Sequence, residues 1–376
     1  MTDISHLIFK KEQLINIQTN RSYNEYIIKY YERLKNDKRF SLDESKIANK
    51  IDSIKNCNKF FELDVYHKQL IKDFLRTNLC KDKFCQNCKK VKQASRMARF
   101  IPEIEKYKRK GLYHLVLTVP NVDHTELRSM IKKQFKAFGM LIRYLNGTKK
   151  IKGLDFDSWG FLGAIRSLEV TYKGNSYHPH IHALLCFTGD LGEKTLENTY
   201  SYNYQGKKAV LTRLFSEKEV LIQKIWRLLI NGEKVTLKNI SQMEVGYSCM
   251  IDKFKENDYH ELFKYMTKSN GSDDDETSMM TYENFVTLYF ALRNIRQIQG
   301  YGVFFRLKDA DLSEEIDSVY ESIIEGLKKT ESPEHTMETP QELILDNKYT
   351  LISRKTVQKY LRQLQETSCE EVSKKM

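Results

Sequence analysis

The chain has 376 residues, with 62 Lys and Arg against 50 Asp and Glu for a formal net charge of +12, and it is 40% hydrophobic and 11% aromatic. That length and apolar content argue for folded protein over most of the chain, with room for more than one domain, and the positive balance points to a polyanionic partner. No apolar run approaches the roughly 20 residues that span a bilayer, and the start, "MTDISHLIFKKEQ", lacks the apolar core of a signal peptide, so a cytoplasmic protein with no membrane partner is expected.

In chain order, residues 1–100 form an N-terminal region of charged, helical-looking segments that includes "LCKDKFCQNCKK". Seven cysteines in a cytoplasmic chain are not a disulfide framework, and closely spaced ones read as metal ligands. Cys80, Cys85 and Cys88 would supply three thiolates to a tetrahedral zinc, with Cys57 as the fourth ligand and His67 in reserve. Such a closed site is structural; redox sensing is the other chemistry open to these thiols. Directly after it, "KKVKQASRMARF" gathers Lys89, Lys90, Lys92, Arg96 and Arg99 on one helix, where they are candidates for DNA phosphate contacts.

Residues 101–307 carry the catalytic expectations. "GLYHLVLTVPNV" reads as a strand, "HTELRSMIKKQFKAFGMLIRYLNG" as a helix closed by Gly147, and Ser216 to Ile230 as an amphipathic helix. "NDYHELFKYMTKSN" is expected to be a short helix capped by Asn257 or Asp258, followed by a loop, the helix "TYENFVTLYFALRNIRQI" and a last strand "GYGVFFRL". Residues 308–376 read as a separate tail with helical pieces.

The centre of this region is "SYHPHIHALLCF", which places three of nine histidines within five residues. Taking Gly174-Asn175 as a two-residue hairpin loop sets Glu169 opposite His180 and Ser167 opposite His182. Because side chains alternate along a strand, His178, His180, His182 and Glu169 then share one face, as a ligand set for a divalent ion such as Mn, Mg or Zn. In "HELFKYMTK", the spacing puts Glu261, Tyr265 and Lys268 on one helix face. A phenol with an ordinary pKa near 10 needs help to act as a nucleophile; Lys268 can supply a cation or bind a phosphate, and Glu261 can serve as a base for the phenol or for water.

"YHLVLTVPN", "HPHIHALL" and "ELFKYMTK", in this order, resemble the three motifs of rolling-circle replication initiators of small bacterial plasmids, members of the HUH endonuclease superfamily. Cys57 with "CKDKFCQNC" is similar to that family's cysteine region and "ALRNIRQIQGYGVFF" to its closing segment, so the resemblance runs from Cys57 to Phe305; Lys83 and Gln86 stand where the family commonly has Arg and Pro. The resemblance implies an α+β fold: an antiparallel sheet with the metal site on one face under the nucleophile helix, helices on the other, and a zinc-bearing region and a tail on either side. It implies a DNA endonuclease and strand transferase in which His180 and His182 hold Mn or Mg. Tyr265 would attack at the double-strand origin and stay linked to the 5′ phosphate, freeing a 3′ hydroxyl primer, and Glu261 would let water attack at termination. The third metal ligand is left to Glu169, favoured by register, or His178. The implied partners are origin DNA, single-stranded or extruded as a hairpin, a host helicase, a DNA polymerase and a second copy of the chain. A relaxase or transposase would share the chemistry on other DNA, and a zinc-stabilised DNA-binding regulator would lack it.

Overall fold

The computed structural model describes residues 8–9, 11–57, 60–66, 71–77, 79–196, 203–205, 210–244, 246–255, 258–263, 280–307 and 350–353. The chain divides into two compact units, residues 1–98 with 311–376, and residues 99–310. No helix among the described residues is long and apolar enough to cross a membrane.

The first unit holds β1 (Ile8–Phe9), α1 (Lys11–Asn36), α2 (Glu44–Asn56), β2 (Phe60–Tyr66), β3 (Ile71–Thr77) and the start of α3 (Gln86–Glu105). Helix α1 turns Tyr23, Ile27, Tyr31 and Leu34 to one buried face, and α2 does the same with Ile47, Ile51 and Ile54. The side chain of Asp43 caps α2 by accepting from the backbone N–H groups of Ser45 and Lys46. Strands β2 and β3, absent from the sequence reading, are antiparallel. The tail, expected to be helical, contributes a strand among its described residues: β11 (Thr350–Ser353) adds antiparallel to β2.

The second unit contains β4 (Gly111–Leu117), α4 (Leu127–Leu145), β5 (Phe161–Lys173), β6 (Ser176–Phe187), β7 (Asn203–Gln205), β8 (Val210–Thr212), α5 (Glu217–Asn231), α6 (Leu237–Gln242), β9 (Cys249–Lys253), α7 (Asp258–Phe263), α8 (Tyr282–Ala291) and β10 (Ile298–Gly302). Five of these strands make an antiparallel sheet in the order β10-β5-β6-β4-β9. Period-two alternation divides the sheet into two faces. Tyr113, Leu115, Leu117, Ile181, Ala183, Leu185 and Phe187 enter the core on one face, with Phe138, Leu141, Ile222, Ile225 and Trp226 of α4 and α5. Helix α5 begins with a capping box between Ser216 and Glu219. Its buried polar side chains seal the edge strand: Glu219 Oε1 accepts from Ile251 N–H at 2.7 Å, and Gln223 Nε2 donates to the Cys249 carbonyl at 3.1 Å.

Two elements end sooner than their hydrophobic patterns suggest. Helix α8 stops at Ala291 because the next turn leads to Asn294 in the left-handed region, φ 58°. Strand β10 starts at Ile298 and ends at Gly302, φ 58°, where "VFF" turns away from the ladder.

Candidate active site and metal centres

The hairpin that carries the histidines has the register read from its turn. Gly174, φ 58°, starts the two-residue loop, and Lys173 pairs with Ser176, Thr171 with His178, Glu169 with His180 and Ser167 with His182. The N-terminal motif strand runs on beside the hairpin tip, where Val122 and Tyr177 exchange backbone hydrogen bonds and Asn121 Nδ2 donates to Ser176 Oγ at 3.0 Å.

One oxygen of Glu169, Oε2, stands 3.1 Å from His180 Nε2 and 3.2 Å from His182 Nε2. Glu169 and His182 are buried, at 4% and 7% exposure, although they face away from the main apolar core. The outer nitrogens explain why these inner atoms attract a cation. His180 Nδ1 lies 3.1 Å from the His178 carbonyl, which can only accept, so Nδ1 carries a proton, and a ring with that one proton presents a lone pair from Nε2 to the carboxylate. Two acceptors at that separation repel unless a cation lies between them, and a buried carboxylate adds to the demand. Bonds of about 2.1 Å to one ion place neighbouring donors about 3.0 Å apart at right angles and about 3.4 Å apart in a tetrahedron. The observed spacings fall between these values, so the donor set suits a divalent ion.

The group that can hold a metal is thus Glu169, His180 and His182, whose ligand atoms lie within 4.8 Å of one another. His178, the competing third ligand, is not part of it. Its ring stacks on His180 at 5.1 Å, and burial, followed by the neighbouring His180, pushes its imidazole below the ordinary value. Residues Tyr265 and Lys268 lie outside the described residues, as does the side chain of Glu261, whose backbone belongs to α7. That helix starts beside the histidines: Asp258 Oδ1 is 3.3 Å from His114 Nδ1, and His114 stacks on His182 with Nε2 to Nδ1 at 3.1 Å. The sequence marks neither His114 nor Asp258 as a site residue: Asp258 reads only as a candidate helix cap, and His114 only as a histidine in the first motif strand.

A groove of about 530 Å³ opens beside β4 and α7, lined in part by Lys108, Lys110, Lys253 and Lys255 with Phe254 and Tyr259. Carboxylates also line it: Lys108 pairs with Glu105 at 3.2 Å and Lys253 with Asp190 at 3.4 Å. Phe254 meets His114 edge-on at 6.2 Å, so this groove adjoins the histidine site.

In the first unit Cys57, Cys80, Cys85 and Cys88 converge. The sulfur separations are 3.5 Å for Cys57 and Cys85, 3.8 Å for Cys57 and Cys88, and 3.6 Å for Cys80 and Cys88. Four thiolates at about 2.3 Å from one zinc would be about 3.8 Å apart, close to these values. Among the described residues three N–H groups point at the sulfurs: Asn24 Nδ2 to Cys85 at 3.3 Å, the Lys81 backbone to Cys88 at 3.2 Å and Asn87 Nδ2 to Cys57 at 4.0 Å. Asn24 also accepts from Gln86 N–H at 2.9 Å, and buried Asp82 accepts from Tyr31 and Lys50, which fixes the cysteine loop on α1 and α2. His67, the reserve ligand, lies outside the described residues.

The basic run on α3 needs correction at two positions. Lys89 and Arg96 are buried, at 4% and 2% exposure, so neither offers its charge to a phosphate on the surface. They are seven residues apart and, with Phe100 and Ile104, continue one buried helical stripe. Burial pushes the Lys89 ammonium down to about 8, and its Nζ lies 5.4 Å from the Tyr23 ring centre. Lys92 and Arg99 are half-buried, and the Lys90 side chain lies outside the described residues.

A family model described as "Replication protein" matches residues 72–200. "Protein rep" of Staphylococcus aureus is 28% identical over 233 residues, covering 60% of this chain and 84% of that protein. "Protein rep" of Streptococcus pneumoniae is 32% identical over 112 residues, covering 28% of this chain and 32% of that protein. "Protein rep" of Lentilactobacillus hilgardii is 24% identical over 180 residues, covering 46% and 53%. Measured against the last two, the chain spans about a third and about a half of the relative's length. No solved structure matches the chain. The chain is similar to Rep replication proteins, and these matches support the resemblance to plasmid replication initiators.

Proposed function

We propose that this chain initiates rolling-circle replication of a plasmid as a site-specific single-strand DNA endonuclease and joining enzyme. The observation that carries this reading is the pair of imidazole Nε2 atoms that each stand within about 3.2 Å of Glu169 Oε2 on a sheet, next to the start of α7, in a relative of replication proteins.

In this reading the Tyr265 hydroxyl attacks the phosphorus at the origin, a P–O bond to tyrosine forms and the P–O3′ bond breaks. The 5′ phosphate stays on Tyr265, and the departing 3′ oxygen takes a proton to become the primer for synthesis by a DNA polymerase, behind a host helicase. A divalent ion, Mn or Mg, held by His180, His182 and Glu169 would draw charge from the phosphate oxygens and make the phosphorus easier to attack. Lys268 favours the phenolate, and Glu261 takes the proton of the water that ends the cycle and returns Tyr265 to its free form. The tyrosyl ester keeps the energy of the broken bond for rejoining; the hydrolytic step does not.

The four cysteines in this account hold a structural zinc, closed to substrate. Lys110 and Lys255, both exposed, with Phe254 at the groove beside His114, suit an unpaired strand whose phosphates need cations and whose bases need flat partners. Lys92 and Arg99 remain candidates for further phosphate contacts, and Lys90 with them.

The test uses single-stranded DNA from the chain's own replicon. Tyr265→Phe should bind this DNA as the parent does and leave it uncut in the presence of manganese; cleavage at the parent rate would sink the reading.

A further inference from the structure

We infer that His114 and Asp258 are positioning residues that fix the tautomer of His182 and couple the metal ligand to the start of helix α7. The inference rests on the proposed metal site at Glu169, His180 and His182 and extends it to two residues from other elements.

Asp258 Oδ1 stands 3.3 Å from His114 Nδ1, and a carboxylate can only accept, so when the His114 ring holds one proton, as it must to accept from a metal-bound His182, that proton sits on Nδ1. His114 Nε2 then carries a lone pair and accepts from His182 Nδ1 at 3.1 Å. With its proton on Nδ1, His182 turns a bare Nε2 toward Glu169 Oε2, 3.2 Å away. His180 reaches the same state by a different route, donating from Nδ1 to the carbonyl of His178 at 3.1 Å. Both ligands therefore present Nε2 to the cluster, one set by the backbone of its own strand and the other by a chain of two side chains.

Packing holds the relay in place. The His114 and His182 rings stack with centroids 5.3 Å apart and planes 23° apart, and Phe254 packs edge-on against His114. The other oxygen of Asp258, Oδ2, accepts from the Lys255 backbone N–H at 2.6 Å, so the carboxylate is anchored between β9 and α7. A shift of α7 would move Asp258, and through His114 would turn the ring of His182. Outer partners of this kind hold a ligating imidazole in the right orientation, and their loss usually weakens metal binding about 10–100-fold.

The test measures Mn²⁺ affinity of the intact protein by calorimetry, with His180→Ala/His182→Ala as the baseline for other sites. His114→Phe should bind Mn²⁺ about 10–100-fold more weakly than the parent. His114→Gln, whose amide can accept from His182 and donate to Asp258, should recover most of that loss. Asp258→Ala tests the relay from its other end with the His114 ring intact and should also weaken binding, Asp258→Asn much less. Should His114→Phe melt at the temperature of assay, the Asp258 pair decides. Parent-like affinity in His114→Phe or Asp258→Ala, or failure of His114→Gln to recover it, would overturn the relay while leaving the metal site standing. A parent protein that binds no Mn²⁺ above the baseline would overturn the metal site and the relay with it.

Discussion

Glu169 lies directly opposite His180 across the β5–β6 ladder, and its Oε2 reaches His180 Nε2 at 3.1 Å. A register one residue different would turn Glu169 to the core face and leave the histidines without a carboxylate. With each imidazole holding a single proton, the pair also conflicts with stability in the absence of a cation, because the carboxylate is then buried against two nitrogen lone pairs.

That conflict gives the first prediction. Glu169→Gln should lower Mn²⁺ affinity at least about tenfold, yet the metal-free variant should melt no lower than the metal-free parent, because a neutral amide can donate to an imidazole nitrogen. Calorimetry and thermal melts in chelator check both halves; a metal-free variant that melts well below the parent would show that Glu169 is held by protonated histidines instead.

The cysteine cluster predicts one zinc per chain by elemental analysis. Cys85→Ser should release it, and strong chelators should lower the melting temperature, since binding energy at a closed site is folding energy. Zinc-free protein with an unchanged melt would remove the structural role.

These two groups were legible in the sequence for different reasons. The hairpin announced itself because Gly174-Asn175 fixes the loop and period-two alternation then fixes every cross-strand partner. The thiols announced themselves by spacing. His114 did not, because its partners are 68 residues away at His182 and farther still at Asp258, and nothing local to "GLYHLVL" marks which face meets them. The inward turn of Lys89 and Arg96 was written in the seven-residue spacing they share, but their charge argued for the surface, and packing prevailed. Strand β2 does alternate, with Phe61, Leu63 and Val65 against Glu62 and Asp64, but it lies among charged, helical-looking segments, and in β3 the adjacent Lys72 and Asp73 break the pattern.

At the edge strand, Asp252 meets Lys194 Nζ at 2.6 Å and Arg213 Nη2 at 3.1 Å. Burial alone would raise its carboxyl, but these cations outweigh burial and hold it below the ordinary 3.8. A depressed folded value means stability that is present above the unfolded value and lost as pH falls through the folded one. Asp252→Asn should therefore be less stable than the parent at pH 7, by under about 1 kcal/mol because the carboxylate is half exposed, and the gap should close as pH falls through the folded value, below the ordinary 3.8. Melts at pH 7, 5 and 3 check this; a gap that widens toward acid would refute it.

Glu261, on α7, separates the two halves of the proposed cycle. Glu261→Ala should nick and join single strands at the parent rate but fail to release cleanly, giving longer or concatenated products on gels. Loss of the first nick would make Glu261 the base for Tyr265 instead.

The most direct measurement of the central claim is to incubate the protein with manganese or magnesium and single-stranded DNA from its own replicon, then map any covalent protein–DNA adduct by mass spectrometry. An adduct on Tyr265 that disappears with EDTA is expected. No adduct on any strand, with tight DNA binding retained, would contradict it and leave a DNA-binding protein whose histidines and glutamate serve another purpose.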